Sequence, residues 1–224
     1  MQLGAEVEFN GLIRSVKFRS FYGHRLKLYR ETVPHAGFAV LHAWGEQLHH
    51  GAFVFTSNVD GQFQKAGFTA DRVVECHGSI HHVQCVNGCN KRIDSADAVQ
   101  PLIDDARCHW LGELPHCPDC GGLLRPNILM FGDSDWLSRR TDLQYGAMNR
   151  WLAGVGRLVI VELGAGSTIA TVRYTSEHIA RQLAGVATLI RINPTEAEGP
   201  DGCISLASGA LAGLTLIAEA LAEV

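Results

Sequence analysis

Two close pairs of cysteines, Cys85-x3-Cys89 and Cys117-x2-Cys120, constrain this chain more than any other feature. Each pair sets two thiols side by side, and together they supply the four sulfurs of one tetrahedral ion, for which zinc is the default metal. The Pro118-Asp119 spacer and Gly121-Gly122 make a tight knuckle that turns both sulfurs of the second pair toward one ion. Such a site is closed to water and is expected to be structural. Cys108, His81, His82 and His116 compete as ligands; Cys108 belongs to no close pair and ranks as a free thiol. Seven cysteines is an odd number, and in a reducing compartment the pairing favours metal over disulfides.

A second stretch, Thr56 to Ser79, carries the chemistry. It follows the apolar run Ala52-Phe53-Val54-Phe55, which reads as a buried strand. Thr56-Ser57-Asn58-Val59-Asp60-Gly61 then falls at that strand's C-terminal end, where open α/β sheets bind ligands. A further run, Arg72 to Cys76, delivers His77-Gly78-Ser79. The spacing leaves two readings open. An amide, a carboxylate and an imidazole converge on a polar ligand, or Asn58 and Asp60 make an Asx turn and His77 is an ordinary surface or core histidine. Cys76 and His77 are neighbours on a strand, point to opposite faces and cannot pair as nucleophile and base.

The 224 residues are enough for one large domain, or one domain plus a small module, and 46% hydrophobic content suffices for a core. With net charge −4 and no Lys/Arg run, the footprint of a nucleic-acid binder is missing. No apolar run approaches bilayer length and the N-terminus lacks signal-peptide order, so a cytoplasmic protein is expected.

Along the chain, residues 1–20 show no clear period and are left unassigned. Phe21 to Glu31 reads as a helix with Phe21, Tyr22, Leu26 and Tyr29 on its apolar face. Pro34 opens a second helix with the stripe Phe38, Leu41, Trp44 and Leu48, ended by Gly51. From Ser79 to Phe131 the composition changes to that of a small insertion. Regular grammar returns with strand Leu158–Val161, a Gly164-Ala165-Gly166-Ser167 turn, a helix from about Thr175 to Leu183 and strand Ala187–Ile192. Ser208 caps a last helix whose Leu211, Leu214, Ile217, Ala218 and Leu221 share a face. The alternation predicts an α/β fold, a Rossmann-like doubly wound parallel sheet.

TSNVDG at 56–61, HGS at 77–79, the paired cysteines and LPHCPDCGGLLRPNILMFGD at 114–133 together resemble the sirtuins, NAD-dependent protein-lysine deacylases, in order from about Tyr22 onward. The resemblance implies NAD and zinc as cofactors and an acyl-lysine protein or peptide as substrate. It implies that Asn58 and Asp60 hold the nicotinamide and its ribose and that His77 is the general base. Ile128, Met130, Phe131 and Gly132 would pair as a strand with the substrate backbone. Gly164, Ala165, Gly166 and Ser167 would lie by the cofactor ribose and phosphates, Asn193 by the adenosine ribose, and Ala210 and Leu211 by the adenine. Tyr22-x2-Arg25 resembles the pair by which one sirtuin subgroup recognises succinyl or malonyl groups, since a phenol and a guanidinium clamp a carboxylate. The implied domains are 21–79 with 132–224 for NAD and 80–131 for zinc and the start of the substrate loop.

The sequence also departs from the family. Residues 1–20 match nothing in it, and its Gly-Ala-Gly loop and Asp-Phe-Arg segment are missing, so the sheet is expected to be incomplete at its N-terminal βα unit. Ser57 stands where the family usually has Gln, and Gly164–Ser167 replaces a plain Gly-Thr-Ser. Two alternatives to a working deacylase follow: a truncated, catalytically weak sirtuin acting as a peptide-binding module, and an NAD hydrolase or ADP-ribosyltransferase.

Overall fold

The structure, a computed structural model, describes residues 16–223. The chain sorts into two compact units. The first comprises the described part of Met1–Val33 with Asn58–Lys65 and Val74–Gly146; the second comprises Pro34–Ser57, Ala66–Val73 and Ala147–Val224. The segment expected to hold the metal, 80–131, lies wholly within the first.

The first unit opens with helix α1 (Val16–Glu31). Val33 precedes a proline, which disfavours the helical region there, and the helix has already closed with Thr32 N–H donating to Leu28 O at 2.9 Å. Two faces of α1 are used. Leu26 joins the core with Ile80, Val83, Ala96 and Ile128, and Tyr22 and Tyr29 pack beside it. Phe21, expected on that face, is instead exposed. The neighbouring face is built from Ser20, Gly23 and Arg30. Ser20 Oγ accepts the Trp110 N–H at 3.0 Å, and Arg30 donates to the carbonyls of Ala96 and Val99 at 2.7 Å each. A Cβ on Gly23 would lie 2.3 Å from the Trp110 ring, so the indole needs that glycine.

Strand β3 (Gly78–Cys85) is the unit's spine, antiparallel to β4 (Ile93–Ser95) on one side and β7 (Leu124–Ile128) on the other. The β3–β7 register slips between Ser79 and Val83, opposite Pro126, which has no N–H to give a ladder. Strands β5 (Ile103–Asp104) and β6 (His109–Trp110) form a small hairpin that presents Trp110 to α1. A buried amide network, in which Asn127 Nδ2 donates to Gln84 Oε1 at 2.8 Å and to Leu137 O at 2.9 Å, pins the segment after β7.

In the second unit, helix α2 (Ala36–Gln47) is capped by the His35 ring accepting from Gly37 N–H, one residue after the proline expected to open it. The helix ends before Leu48, which is exposed, so the apolar stripe stops at Trp44. Strand β1 (Val54–Thr56) follows, then the short helix α3 (Gln62–Lys65) of the first unit and strand β2 (Val73–Glu75). Helix α4 (Arg139–Leu152) leads to β8 (Leu158–Leu163), α5 (Thr171–Gln182), β9 (Ala187–Ile192), β10 (Ile204–Leu206) and α6 (Ala210–Ala222).

Strands β8, β9 and β10 run parallel in the order β10-β9-β8. Strand alternation decides which helix covers which face. Glu162 and Arg191 are register partners and point to the α5 side, where Ser176 donates to Glu162. Ile192, next along, points the other way and meets α6, where a Cβ on Gly213 would lie 2.6 Å from Ile192 Cγ2. The sheet is therefore doubly wound, as expected. The α6 stripe covers only mid-helix: Gly213 and Leu214 are buried, but Leu211 and Leu221 are exposed, and Gly209 rather than Ser208 is the N-cap.

Candidate functional site

The four paired cysteines converge. All four sulfurs lie within 4.8 Å of one another, with Cys85–Cys120 and Cys85–Cys89 at 3.6 Å and Cys89–Cys117 at 3.5 Å. Four thiolates at the usual zinc–sulfur distance sit about 3.8 Å apart, so the cluster fits a tetrahedral zinc ion. Gly122 N–H donates to Cys120 Sγ at 3.4 Å and holds that thiol below its ordinary pKa, whereas hydrogen bonding to Cys120 pushes Cys89 up. Such crowding opposes full ionisation without a cation. Three of the four competing groups are engaged elsewhere, His116 with Gly121 O at 2.7 Å, His81 with Asp60 O at 2.9 Å, and Cys108 with Ser20 O, and the fourth, His82, is not part of the sulfur cluster.

His77 occupies the turn between β2 and β3, not a strand, so strand alternation is not what separates it from Cys76. Cys76 is buried, and burial pushes its thiol up to about 11, which leaves it an inert core group. The His77 turn is held from three sides. Gly78 adopts φ +78°, and a Cβ there would lie 2.1 Å from Asn127 O, so only glycine fits. Leu129 N–H donates to His77 O at 2.9 Å. Upstream, Glu75 is anchored to α4 by an ion pair with Arg140, by Gln144 Oε1 accepting its N–H at 3.1 Å, and by Thr141 donating to its carbonyl at 3.1 Å. The imidazole itself is half-buried.

Asp60 does make an Asx turn: its Oδ1 accepts Gln62 N–H at 3.0 Å and caps α3, with Gly61 at φ +68° and its missing Cβ vacating space for the His81 ring. A capping carboxylate keeps a second oxygen for a ligand, so the bland and functional readings are compatible. Asn58 is exposed two residues earlier.

The expected substrate strand is shorter than the resemblance implies. It ends at buried Ile128, and Phe131-Gly132 form a turn with Phe131 83% exposed and Gly132 at φ +70°. What shapes this turn was not read from the sequence: Arg125 forms a buried, two-pronged ion pair with Asp133 and donates to Ile128 O at 2.9 Å. Tyr22 lines a small open apolar cleft with Leu26, Ile80, Val83 and Trp110, and Arg125 is the cleft's cation. Burial raises the Tyr22 phenol above its ordinary pKa. Arg25 does not line this cleft; its guanidinium lies 5.2 Å from the Phe21 ring centroid.

The remaining cofactor candidates belong to the second unit. Gly164 takes φ +64°, and a Cβ on it would meet nothing within 4 Å, which leaves an open turn of accessible backbone. Asn193 is 5% exposed and largely committed internally: Nδ2 donates to Ala165 O at 3.1 Å while Oδ1 accepts from Thr195 and Glu196 N–H at 3.0 Å each. It fixes two loops against each other and is better placed to shape a ribose site than to touch one. Ala165 is buried, Gly166 is half-buried and Ser167 is exposed. Ala210 and Leu211 start α6, the latter exposed. Beneath the turn, Arg191 pairs with Glu162 and Glu177 at 1% exposure, a network no spacing announced.

The model of the Sir2 family matches residues 8–149, more than half of the chain. The chain belongs to the Sir2 family. The match begins upstream of Tyr22, from which the resemblance runs, so part of residues 1–20 does follow the family pattern; residues 1–15 lie outside the described ones. Among curated sirtuin relatives, an NAD-dependent protein deacetylase of Shouchella clausii is 33% identical over 116 residues, 52% of this chain and 42% of the relative. An NAD-dependent protein deacylase of Aquifex aeolicus is 32% identical over 126 residues, 55% and 47%. A probable bifunctional ADP-ribose hydrolase/ADP-ribosyltransferase of Fusarium oxysporum f. sp. cubense is 29% identical over 170 residues, 69% and 28%. The chain thus spans less than half the length of these relatives. A solved structure from work on the structural basis of sirtuin substrate affinity matches with TM-score 0.62 at 22% identity, covering 89% of this chain and 78% of that one. The fold is the Rossmann-like α/β fold of sirtuins with a four-cysteine cluster.

Proposed function

We propose that this sirtuin is an NAD-dependent protein-lysine deacylase with His77 as general base. The observation that carries the reading is the His77 turn, in which Gly78, Leu129 and the Glu75–Arg140 anchor hold a half-buried imidazole within the family-matched segment. NAD supplies an activated ribose that takes the acyl group when nicotinamide departs. His77 takes a proton from a ribose hydroxyl, a general-base role for which an imidazole is the commonest side chain. Asn58 and Asp60 grip the nicotinamide side, and Gly164–Ser167, shaped by Asn193, receives the ribose and phosphates with Ala210 and Leu211 beside the adenine. Met130, Phe131 and Gly132 become ordered as a strand only when a substrate backbone supplies the partner. Zinc on Cys85, Cys89, Cys117 and Cys120 holds the module together without entering the reaction. The proposed division of labour is by function rather than by compact unit: 21–79 and 132–224 serve the cofactor, 80–131 the metal and the start of the substrate loop.

The test is nicotinamide release with an acetyl-lysine peptide, wild type against His77→Ala. A drop of about 100-fold or more supports the base; equal rates remove His77 from the mechanism. Repeating it with succinyl-lysine and Arg25→Met reads the acidic-acyl preference, and an unchanged ratio of the two rates sinks the Tyr22/Arg25 clamp. The second reading, ADP-ribosyl transfer, is motivated by the name of the Fusarium relative, which aligns over 69% of this chain and 28% of its own length. Mass spectrometry distinguishes the readings. Deacylated peptide with acylated ADP-ribose supports deacylation, whereas ADP-ribosylated protein supports transfer.

A further inference from the structure

His81, a competing zinc ligand by its place in the sequence, does not join the sulfur cluster. It lies within the slipped stretch of β3, between Ser79 and Val83, where an irregularity re-aims a side chain. Its ring meets the loop that carries Asn58 and Asp60, within the first unit. Nε2 lies 2.9 Å from Asp60 O; a carbonyl only accepts, so Nε2 carries the proton and donates. The same ring fills the space beside Gly61, which takes φ +68° and on which a Cβ would lie 2.6 Å from His81 Cδ2. Ile80 N–H donates to Val59 O at 2.9 Å, so β3 ties two successive carbonyls of the loop, one from its backbone and one from a side chain. Asp60 Oδ1 meanwhile caps α3 through Gln62 N–H. His81 is itself anchored: its N–H donates to Ser79 Oγ at 3.3 Å and its carbonyl accepts Ala96 N–H at 2.9 Å.

We propose that His81 is a positioning residue for the nicotinamide end of the cofactor: it fixes the backbone of Asp60, and through it the placement of Asn58 and Asp60. The proposal rests on the reading that this loop grips the nicotinamide. The physical argument is preorganisation. A loop with two tied carbonyls and a capping carboxylate has little freedom left to lose when a ligand arrives. Without the imidazole donor, Asp60 O loses its partner and Gly61 loses the ring packed beside it. Glycine is the most permissive residue of the loop, so the freedom returns there, and cofactor binding then bears the cost of ordering it. The imidazole acts through Asp60, and no contact between His81 and the cofactor enters the role.

Calorimetric titration of the full chain with NAD and with ADP-ribose, which lacks the nicotinamide, tests this without relying on turnover. His81→Phe keeps a ring beside Gly61 and removes the donor. It is expected to weaken NAD about tenfold and to leave ADP-ribose within about twofold, a split that a general loss of fold would not give. His81→Val has less bulk than the imidazole and is expected to show the same split, which covers the case in which phenylalanine is too large for the site. His81→Gln returns an N–H donor at similar reach and is expected to bring NAD affinity back to within about threefold of wild type. Equal weakening of NAD and ADP-ribose makes His81 a residue of the fold alone and overturns the proposal, as does wild-type NAD affinity in both donor-free variants. Asn58→Ala separates the proposal from the reading beneath it. If Asn58→Ala weakens NAD and neither donor-free variant does, only His81 falls. If Asn58→Ala leaves NAD binding unchanged, or wild type binds neither ligand, the nicotinamide grip itself fails and takes the proposal with it.

Discussion

The two units of this sirtuin reach order by different routes. In the first, β3 pairs antiparallel with two shorter strands, a hairpin of two-residue strands stands apart, one register is slipped, and much of the cohesion is concentrated at points: four sulfurs, the Arg125–Asp133 pair and the Trp110–Gly23 contact. In the second, β8 and β9 share an unbroken six-residue parallel register, and a buried Arg191–Glu162–Glu177 network lies under the α5 face. Point-wise cohesion fails when one point is removed. A continuous ladder degrades by increments.

Metal removal probes this contrast hardest. Chelation, or Cys117→Ser, is expected to strip amide-exchange protection from β3, β4 and β7 while β8 and β9 retain theirs. The scale is set by structural zinc binding, about 10 kcal/mol or more in small metal-folded domains. Simultaneous loss of protection in β8 and β9 breaks the comparison. Next in size is Arg191→Met, which leaves Glu162 buried without its cation. Urea unfolding should show a loss of about 3–5 kcal/mol, with part recovered when Glu162→Leu is added. A loss below about 1 kcal/mol places the second unit's cohesion in the ladder alone.

The smallest effect concerns His82 in the first unit, whose pKa is lowered to about 4, chiefly by burial and then by Arg140, against a partial offset from Glu75. Its Nδ1 is buried without a hydrogen-bond partner. The folded state resists a proton that the unfolded chain accepts, so this contribution is present above about pH 6.5 and is lost as pH falls toward 4. Wild-type melting temperature should therefore drop more steeply over that window than that of His82→Gln. Parallel slopes remove His82 from the acid sensitivity.

The site was legible where chemistry depends on residue type at fixed spacing. Two cysteine pairs define a candidate metal site because each knuckle is local, and HGS at 77–79 was recognisable although its turn geometry was not. Helix faces were half legible: the Leu26, Tyr22 and Tyr29 stripe packs as its period implies, but Phe21 lost its place because Ser20 and Gly23 receive Trp110 from about ninety residues away. Leu48, Leu211 and Leu221 fit a period yet lie at or beyond helix ends, outside the buried part of the stripe.

Sequence alone determined the family, the candidate metal ligands, the parallel strand–helix alternation and the identity of the candidate base, since each is written in contiguous residues or short intervals. Tertiary structure decided which polar side chains became internal ties. Arg125 with Asp133, Arg191 with Glu162, and Glu196 on Ser167 look like ordinary surface charges in a linear reading. Their roles depend on burial and on partners brought together by folding, because a charge removed from water persists only where an opposite group or a set of backbone dipoles meets it.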